Sequence, residues 1–168
     1  AWRWLGEQAK SPDVTFVYAN AIYDLGWALR YGIDDFGNLP VDVQGVAALL
    51  DESRYSYSLD SLMNSFLGYG KSEKGLREWC SERGISNPKL HMKRIPGWVV
   101  DEYGTDDAQG TLDVYHKLIA QVSAERLDRV LELERECLLV GRDLRWRGVR
   151  VDQDRAALAR HARGMDRG

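Results

Sequence analysis

The chain has 168 residues, of which 44% are hydrophobic and 29% charged, enough to form one core of ordinary domain size. Its net charge of −3 is, on average, too acidic for a typical nucleic-acid-binding domain. The uncharged apolar stretches are too short to cross a bilayer, and no signal-peptide pattern is present, so we expect a cytoplasmic protein without a membrane partner.

The first elements are predicted to be a helix and a strand. Residues 2–10 carry apolar side chains at helical spacing, and the sequence Ser-Pro-Asp at 11–13 breaks that helix. Residues 14–19 are β-branched or aromatic and do not alternate with polar residues. This composition predicts a strand covered on both faces, as in a parallel sheet.

A second strand is expected after an amphipathic helix. Asn20 is the candidate N-cap of that helix, whose apolar face runs from Ile22 to Leu29 and which should end near Gly32. Residues 41–43 then favour a short strand. Together these elements predict a right-handed β-α-β unit.

The rest of the chain is predicted to be helical. The expected helices cover residues 46–50, 59–67, 76–79, 98–103, 108–122, 125–146 with a break at Gly141, and 152–162 behind an Asp cap. The predicted fold class is therefore α/β, mostly helical, with one or two strands.

Two short polar patterns are the best candidates for a functional site. Asn20-Ala-Ile-Tyr-Asp24 follows the predicted strand, and ligand sites in open α/β sheets form beyond the carboxyl ends of strands. Tyr103-Gly-Thr-Asp-Asp107 opens a later predicted helix and places Tyr103 and Asp107 on one helix face. The alternatives are that the carboxylates only stabilise helix dipoles, and that the tyrosine is a core aromatic.

In this order, the two patterns resemble the second and third motifs of the DEDD-type 3′ to 5′ exonucleases that carry a tyrosine. More narrowly, they are similar to the proofreading region of family A DNA polymerases, the bacterial polymerase I type. "YANAIYDLGWAL" resembles the NxxxD motif of that family, and "YGTDDAQGTLDVYHKL" resembles its YxxxD motif. The stretch from Glu134 through "LRWRGVRVD" is similar to the segment that leads into the polymerase domain.

This resemblance implies a partial ribonuclease H-like exonuclease domain at 1–122 and a helical connection into a polymerase domain at 123–168. The first motif of the family, an Asp-x-Glu, occurs nowhere in the chain. We therefore expect a fragment of a polymerase from a bacterial or phage-infected cell, inactive as a nuclease when isolated. The parent would remove nucleotides from DNA 3′ ends.

The resemblance also implies the roles of the site residues. Asp24 and Asp107 would bind two divalent metal ions, Mg²⁺ or Mn²⁺, and Tyr103 would orient the attacking water. Asn20 and Tyr23 would face the terminal nucleotide. The implied partners are a single-stranded 3′ end, a primer-template and the rest of the polymerase chain.

Two basic stretches are candidates for contacts with DNA phosphates. Residues 71–94 contain seven Lys or Arg against three Glu, and Lys71 and Lys74 are its candidate DNA contacts. Residues 142–168 contain eight Arg against four Asp. Because the charge is divided in this way, the average of −3 does not exclude DNA, although a solvated loop and an exposed basic helix would have the same composition.

Two other functions are compatible with the sequence. Without an Asp-x-Glu, the chain is also compatible with a non-catalytic DNA-binding or structural segment. A ribonuclease D-like exoribonuclease shares the motif set, but its nuclease is not followed by a junction like that at residues 148–152, which favours the polymerase. No glycine-rich phosphate loop is present, so a nucleoside triphosphatase is disfavoured.

Overall fold

Helices dominate the computed structural model, which describes residues 1–165 and the side chains of residues 1–160. None of the described helices is both long and apolar enough to cross a membrane. The elements in chain order are α1 (Trp2–Ala9), β1 (Val17–Tyr18), α2 (Ala21–Arg30), β2 (Val41–Asp42), α3 (Val43–Leu50), α4 (Leu59–Leu67), α5 (Lys74–Ser81), two 3₁₀ turns (Pro88–Leu90 and Met92–Arg94), α6 (Gly97–Ala124), α7 (Asp128–Arg147) and α8 (Gln153–Met165).

The two strands, which precede and follow α2 in the chain, pair with each other in parallel, as predicted. Val17 lies opposite Val41, and Tyr18 lies opposite Asp42. The predicted strand at 14–19 is longer than the observed one. At the start of the predicted range, the N–H of Val14 instead closes the preceding turn on the carbonyl of Ser11. The α/β class with mostly helix is thus confirmed in the described residues.

The main core forms around the C-terminal half of α6. Val114, Leu118 and Val122 are fully buried along one face of α6 and pack against α3 and α4. Gly110 lies where α6 meets α4, since a Cβ at this position would come within 2.5 Å of the Met63 side chain. The absence of a side chain lets the two helices approach closely.

Helix α6 corrects the prediction of two separate stretches, at 98–103 and 108–122. The helix runs without a break through Gly104, even though glycine in a helix interior costs about 1 kcal/mol. Its N-terminal part is held by Val99, which packs in a second core with Leu76, Cys80 and Ile95. Asp107 therefore lies inside a helix, which excludes the helix-dipole explanation for this carboxylate.

Helix α7 corrects the prediction of a break at Gly141. This glycine lies against α2, where an added Cβ would be 3.2 Å from the Cδ1 of Ile22. It allows close packing of α7 on α2, and the helix ends only at Arg147, before Gly148, whose φ is +71°.

Candidate active site

Lys71 joins the two residues of the Tyr103-to-Asp107 pattern. Its ammonium nitrogen donates hydrogen bonds to the Asp107 carboxylate at 2.6 Å and to the Tyr103 hydroxyl at 3.2 Å. The same nitrogen lies 5.0 Å from the centre of the Tyr103 ring. The side chains of Lys71 and Asp107 are only 17% and 26% exposed, so this is a partly buried cluster rather than a surface ion pair.

The loop between α4 and α5 positions Lys71. Helix α4 ends at Gly68 in the left-handed conformation, and the N–H of Lys71 donates to the Asp60 carboxylate at 2.8 Å. Gly70 packs against Asp60 and Asn64, where an added Cβ would be 2.6 Å from the nearest atom. The short Gly-Tyr-Gly-Lys turn therefore brings Lys71 to the N-terminal half of α6.

The charge of Lys71 is stabilised by its partners. Burial by itself lowers the pKa of an amine, but the hydrogen bonds to Asp107 and Tyr103 outweigh burial and raise the pKa of Lys71 above its ordinary value. Lys71 is therefore a fixed cation whose partner is Asp107.

Asp24 belongs to a second group, at the ends of the strands. It lies in the first turn of α2, just beyond β1, as the sequence predicted. Although the residue is largely exposed, its partial enclosure raises the pKa of the carboxyl group, and the nearby Asp42 carboxylate raises it further. Burial, followed by the charge of Asp24, raises the pKa of Tyr18 to about 12. Tyr18, Asp24 and Asp42 therefore share one electrostatic neighbourhood.

Asp42 performs the capping role that was predicted for Asn20. Asn20 has a φ of 73° and its side chain makes no capping hydrogen bond. Instead, the Asp42 carboxylate accepts from the N–H groups of Asn20 and Ala21 at 3.1 and 2.8 Å, and from Gln44 at 2.9 Å. One side chain thus caps both α2 and α3. An Asp directly before the run at 43–50 is a local sequence signal for the cap of α3, but not for that of α2.

The predicted metal ligands do not form a complete metal site among the described residues. No group of three or more His, Cys, Asp or Glu side chains comes together there. Hard divalent cations need several oxygen ligands, whereas Asp107 is paired with Lys71 and Asp42 already accepts three N–H groups. The described residues alone therefore do not fit a two-metal centre.

The basic stretch at 71–94 forms one wall of a polar groove beside the Lys71 cluster. This groove has a volume of about 750 Å³ and contains Lys71, Lys74, Arg77 and Lys89 together with three acidic residues. Glu73 binds Arg77 at 2.7 Å and Lys89 at 2.8 Å, and Lys71 is bound by Asp107, so three of the four cations are already paired. Lys74 is 83% exposed and pairs only loosely with Glu78, at 3.9 Å.

The two other predicted nucleotide contacts lie at the start of α2. Asn20 is exposed at the helix terminus, and Tyr23 is half exposed one turn later. Tyr23 lines a groove between α2 and α7. This groove shares no lining residue with the polar groove that contains Lys74.

Comparison with known proteins relates the chain to phage DNA polymerases. It is 32% identical over 154 residues to a DNA-directed DNA polymerase of Pseudomonas phage M6, an alignment that covers 90% of this chain and 23% of that protein. It is 28% identical over 178 residues to the DNA polymerase DpoZ of Vibrio phage phiVC8, covering 94% of this chain and 27% of that protein.

A third relative extends the same relationship. The chain is 27% identical over 125 residues to the DNA polymerase DpoZ of Acinetobacter phage SH-Ab 15497, covering 72% of this chain and 20% of that protein. No protein-family model matches. The chain thus spans about a quarter of the length of the relatives it matches.

Proposed function

We propose that this chain is a segment of a phage DNA polymerase of family A and carries most of its 3′ to 5′ proofreading exonuclease, a ribonuclease H-like domain. The similarity to phage DNA polymerases over 90% of the chain supports the polymerase part. The observation that carries the nuclease part is the cluster of Lys71, Tyr103 and Asp107, which brings a phenol and a carboxylate to one face of α6.

In this proposal, Tyr103 orients the attacking water. The ammonium of Lys71 donates to the phenol oxygen, so the hydrogen of the hydroxyl group stays available to donate to a water or to a phosphate oxygen. Lys71 also holds Asp107 beside the phenol, and Asn20 and Tyr23 contact the terminal nucleotide.

Two divalent metal ions, Mg²⁺ or Mn²⁺, are part of the proposal for the complete enzyme, where they would activate the water and stabilise the leaving oxygen. Asp24 and Asp107 would contribute ligands. Because the described residues lack a complete set of ligands, the remaining carboxylates would come from a part of the polymerase outside this chain. The 168 residues alone are then expected to be inactive.

The proposed domain boundaries follow from the same resemblance to family A DNA polymerases. Residues 1–122 would belong to the exonuclease and residues 123–168 would lead into the polymerase domain. DNA and the rest of the polymerase chain are the proposed partners, with Lys71 and Lys74 on the side of the polar groove where the DNA would lie.

The experiment is substitution of Asp107 and Asp24 in the polymerase chain that contains this segment. Asp107→Ala and Asp24→Ala should each lower the rate of nucleotide removal from a single-stranded 3′ end by about 100-fold or more, while primer extension is retained. Asp106→Ala is the matched control, because this exposed carboxylate is adjacent to Asp107 but outside the Lys71 cluster. Unchanged digestion by the Asp107→Ala variant contradicts the proposal.

A second candidate function is a non-catalytic segment that binds DNA or supports the polymerase. The pairing of Asp107 with Lys71 favours it, because the ammonium already neutralises this carboxylate. Calorimetric titration of the 168-residue chain with Mn²⁺ discriminates: binding of two ions by the chain alone argues against a non-catalytic role. A preference for RNA over DNA 3′ ends in the nuclease assay would instead favour an exoribonuclease.

A further inference from the structure

A second groove, between α2 and α7, combines aromatic rings with arginines. It has a volume of about 320 Å³. We call it the aromatic-arginine groove, and its lining residues are Tyr23, Gly26, Trp27, Arg30, Arg142, Arg145 and Trp146.

Helical spacing creates both walls of the groove. Tyr23, Trp27 and Arg30 follow one another at intervals of four and three residues, so they form a stripe along α2. Arg142, Arg145 and Trp146 form the corresponding stripe along α7. The helices pack closely next to the groove, where Gly141 lies against Ile22, and Gly26 leaves the wall of α2 open, since an added Cβ would meet no atom within 4 Å.

The aromatic rings of the groove are accessible. Tyr23 is 50% exposed, Trp27 43% and Trp146 57%. Exposed rings of this kind can stack on nucleic-acid bases, since every base offers a flat face.

The arginines give the groove a positive charge. Arg142 is 7% exposed and is held by the Asp143 carboxylate at 2.8 Å, so it is a fixed and partly neutralised cation. Arg30 and Arg145 form no ion pair with any residue that the structure describes. Among the residues that the structure describes, the lining of the groove contains no carboxylate. The charge is therefore complementary to a polyanion.

We propose that the aromatic-arginine groove binds single-stranded nucleic acid. The rings of Trp27, Trp146 and Tyr23 stack on bases, and Arg30 and Arg145 contact the phosphates between them. An apolar protein segment would leave both arginines without a counter-charge, and a duplex would keep its base faces stacked inside. This binding requires neither metal nor hydrolysis and goes beyond the proposed exonuclease, with which the groove shares Tyr23. The test therefore rests on Trp27, Trp146 and Arg145, which have no role in the proposed exonuclease.

The test is binding of a fluorescein-labelled dT12 to the 168-residue chain in EDTA, measured by fluorescence anisotropy. Trp27→Ala and Trp146→Ala should each raise the Kd by about 5-fold to 100-fold. Arg145→Gln should weaken binding and lower the slope of log K against log salt by about 0.7. The controls are Trp4→Ala and Arg3→Gln, which remove an exposed ring and an exposed guanidinium on α1 outside the groove.

Two results would overturn the proposal. The first is no binding of dT12 by the unmodified chain, as expected if another part of a polymerase chain covers the groove. The second is binding by the groove variants with the Kd and salt slope of the controls. Arg145 is exposed, so its substitution leaves the fold intact and keeps the test valid even if a tryptophan variant unfolds. A duplex that binds as tightly as dT12 would exclude the single-stranded specificity.

Discussion

Lys71 determines the electrostatics of the α6 site, because it is the cation that faces both the Tyr103 phenol and the Asp107 carboxylate. The sequence predicted Lys71 as a DNA contact on the basis of the basic stretch alone. Nothing in the chain order links position 71 to positions 103 and 107, since the contact depends on how the α4–α5 loop folds back on α6. The prediction of a shared face for Tyr103 and Asp107 needed only helical periodicity, and the structure places both on α6.

Replacement of Lys71 by methionine should destabilise the protein. Lys71→Met leaves the partly buried Asp107 carboxylate without its cation, which we expect to lower the free energy of unfolding by about 1–3 kcal/mol. Urea denaturation measures the change. The matched control is Lys74→Met, where a side chain that is 83% exposed should alter stability by less than about 0.5 kcal/mol. Equal stabilities of the two variants would show that the Lys71 ion pair contributes nothing.

Asp42 shows how elements are joined at the ends of the strands. Its carboxylate satisfies N–H groups at the starts of both α2 and α3, so a single residue orients two helices relative to β1 and β2. The sequence predicted the existence of these helices from their apolar faces. It did not identify the cap of α2, because the cap lies 21 residues further along the chain than Ala21 and is brought there by strand pairing.

Removal of this shared cap should cost more than loss of an ordinary cap. Asp42→Ala is expected to lower the free energy of unfolding by about 1–3 kcal/mol, since one cap contributes about 1 kcal/mol and two helices lose theirs. Asp42→Asn keeps one acceptor oxygen and should lose less. Thermal and urea unfolding measure both changes.

Asp35→Ala is the control for these measurements, because Asp35 is an exposed loop carboxylate for which the structure shows no ion pair among the described residues. If Asp42→Ala is as stable as this control, the double cap has no energetic role.

At the scale of the whole molecule, the described residues have separate cores. The main core lies around Val114 and Leu118, and a smaller core around Leu76 and Cys80 carries α5. The sequence predicted the helices of both cores but treated α6 as two stretches, at 98–103 and 108–122. Only tertiary packing at both ends, which no local pattern encodes, makes the helix continuous.

Acid should loosen the smaller core before the main one. Hydrogen bonding to Lys89, opposed by burial and reinforced by Arg77, lowers the pKa of Glu73 below its ordinary value of 4.5. Because the folded-state pKa is the lower one, Glu73 contributes its full stabilisation above pH 4.5 and loses it as the pH falls through the folded-state value. Amide hydrogen exchange in α5 should therefore accelerate below pH 4.5, relative to exchange in the buried part of α6.

Glu73→Gln is the variant that tests this linkage. It should weaken α5 at neutral pH and remove the part of the pH dependence that Glu73 causes, so that the variant and the unmodified protein converge in acid. A difference in α5 protection that stays constant from pH 7 to pH 3 would contradict the assignment.

The continuity of α6 has a consequence for which changes in chain length the site can tolerate. The helix carries Tyr103 and Asp107 in one half and the buried residues Val114 and Leu118 in the other. Insertion or deletion of one residue between these halves would turn the phenol and carboxylate by about 100° relative to the core. The helical register of the site is thus fixed relative to that of the core. Insertions and deletions are therefore tolerated only in the loops at either end of α6.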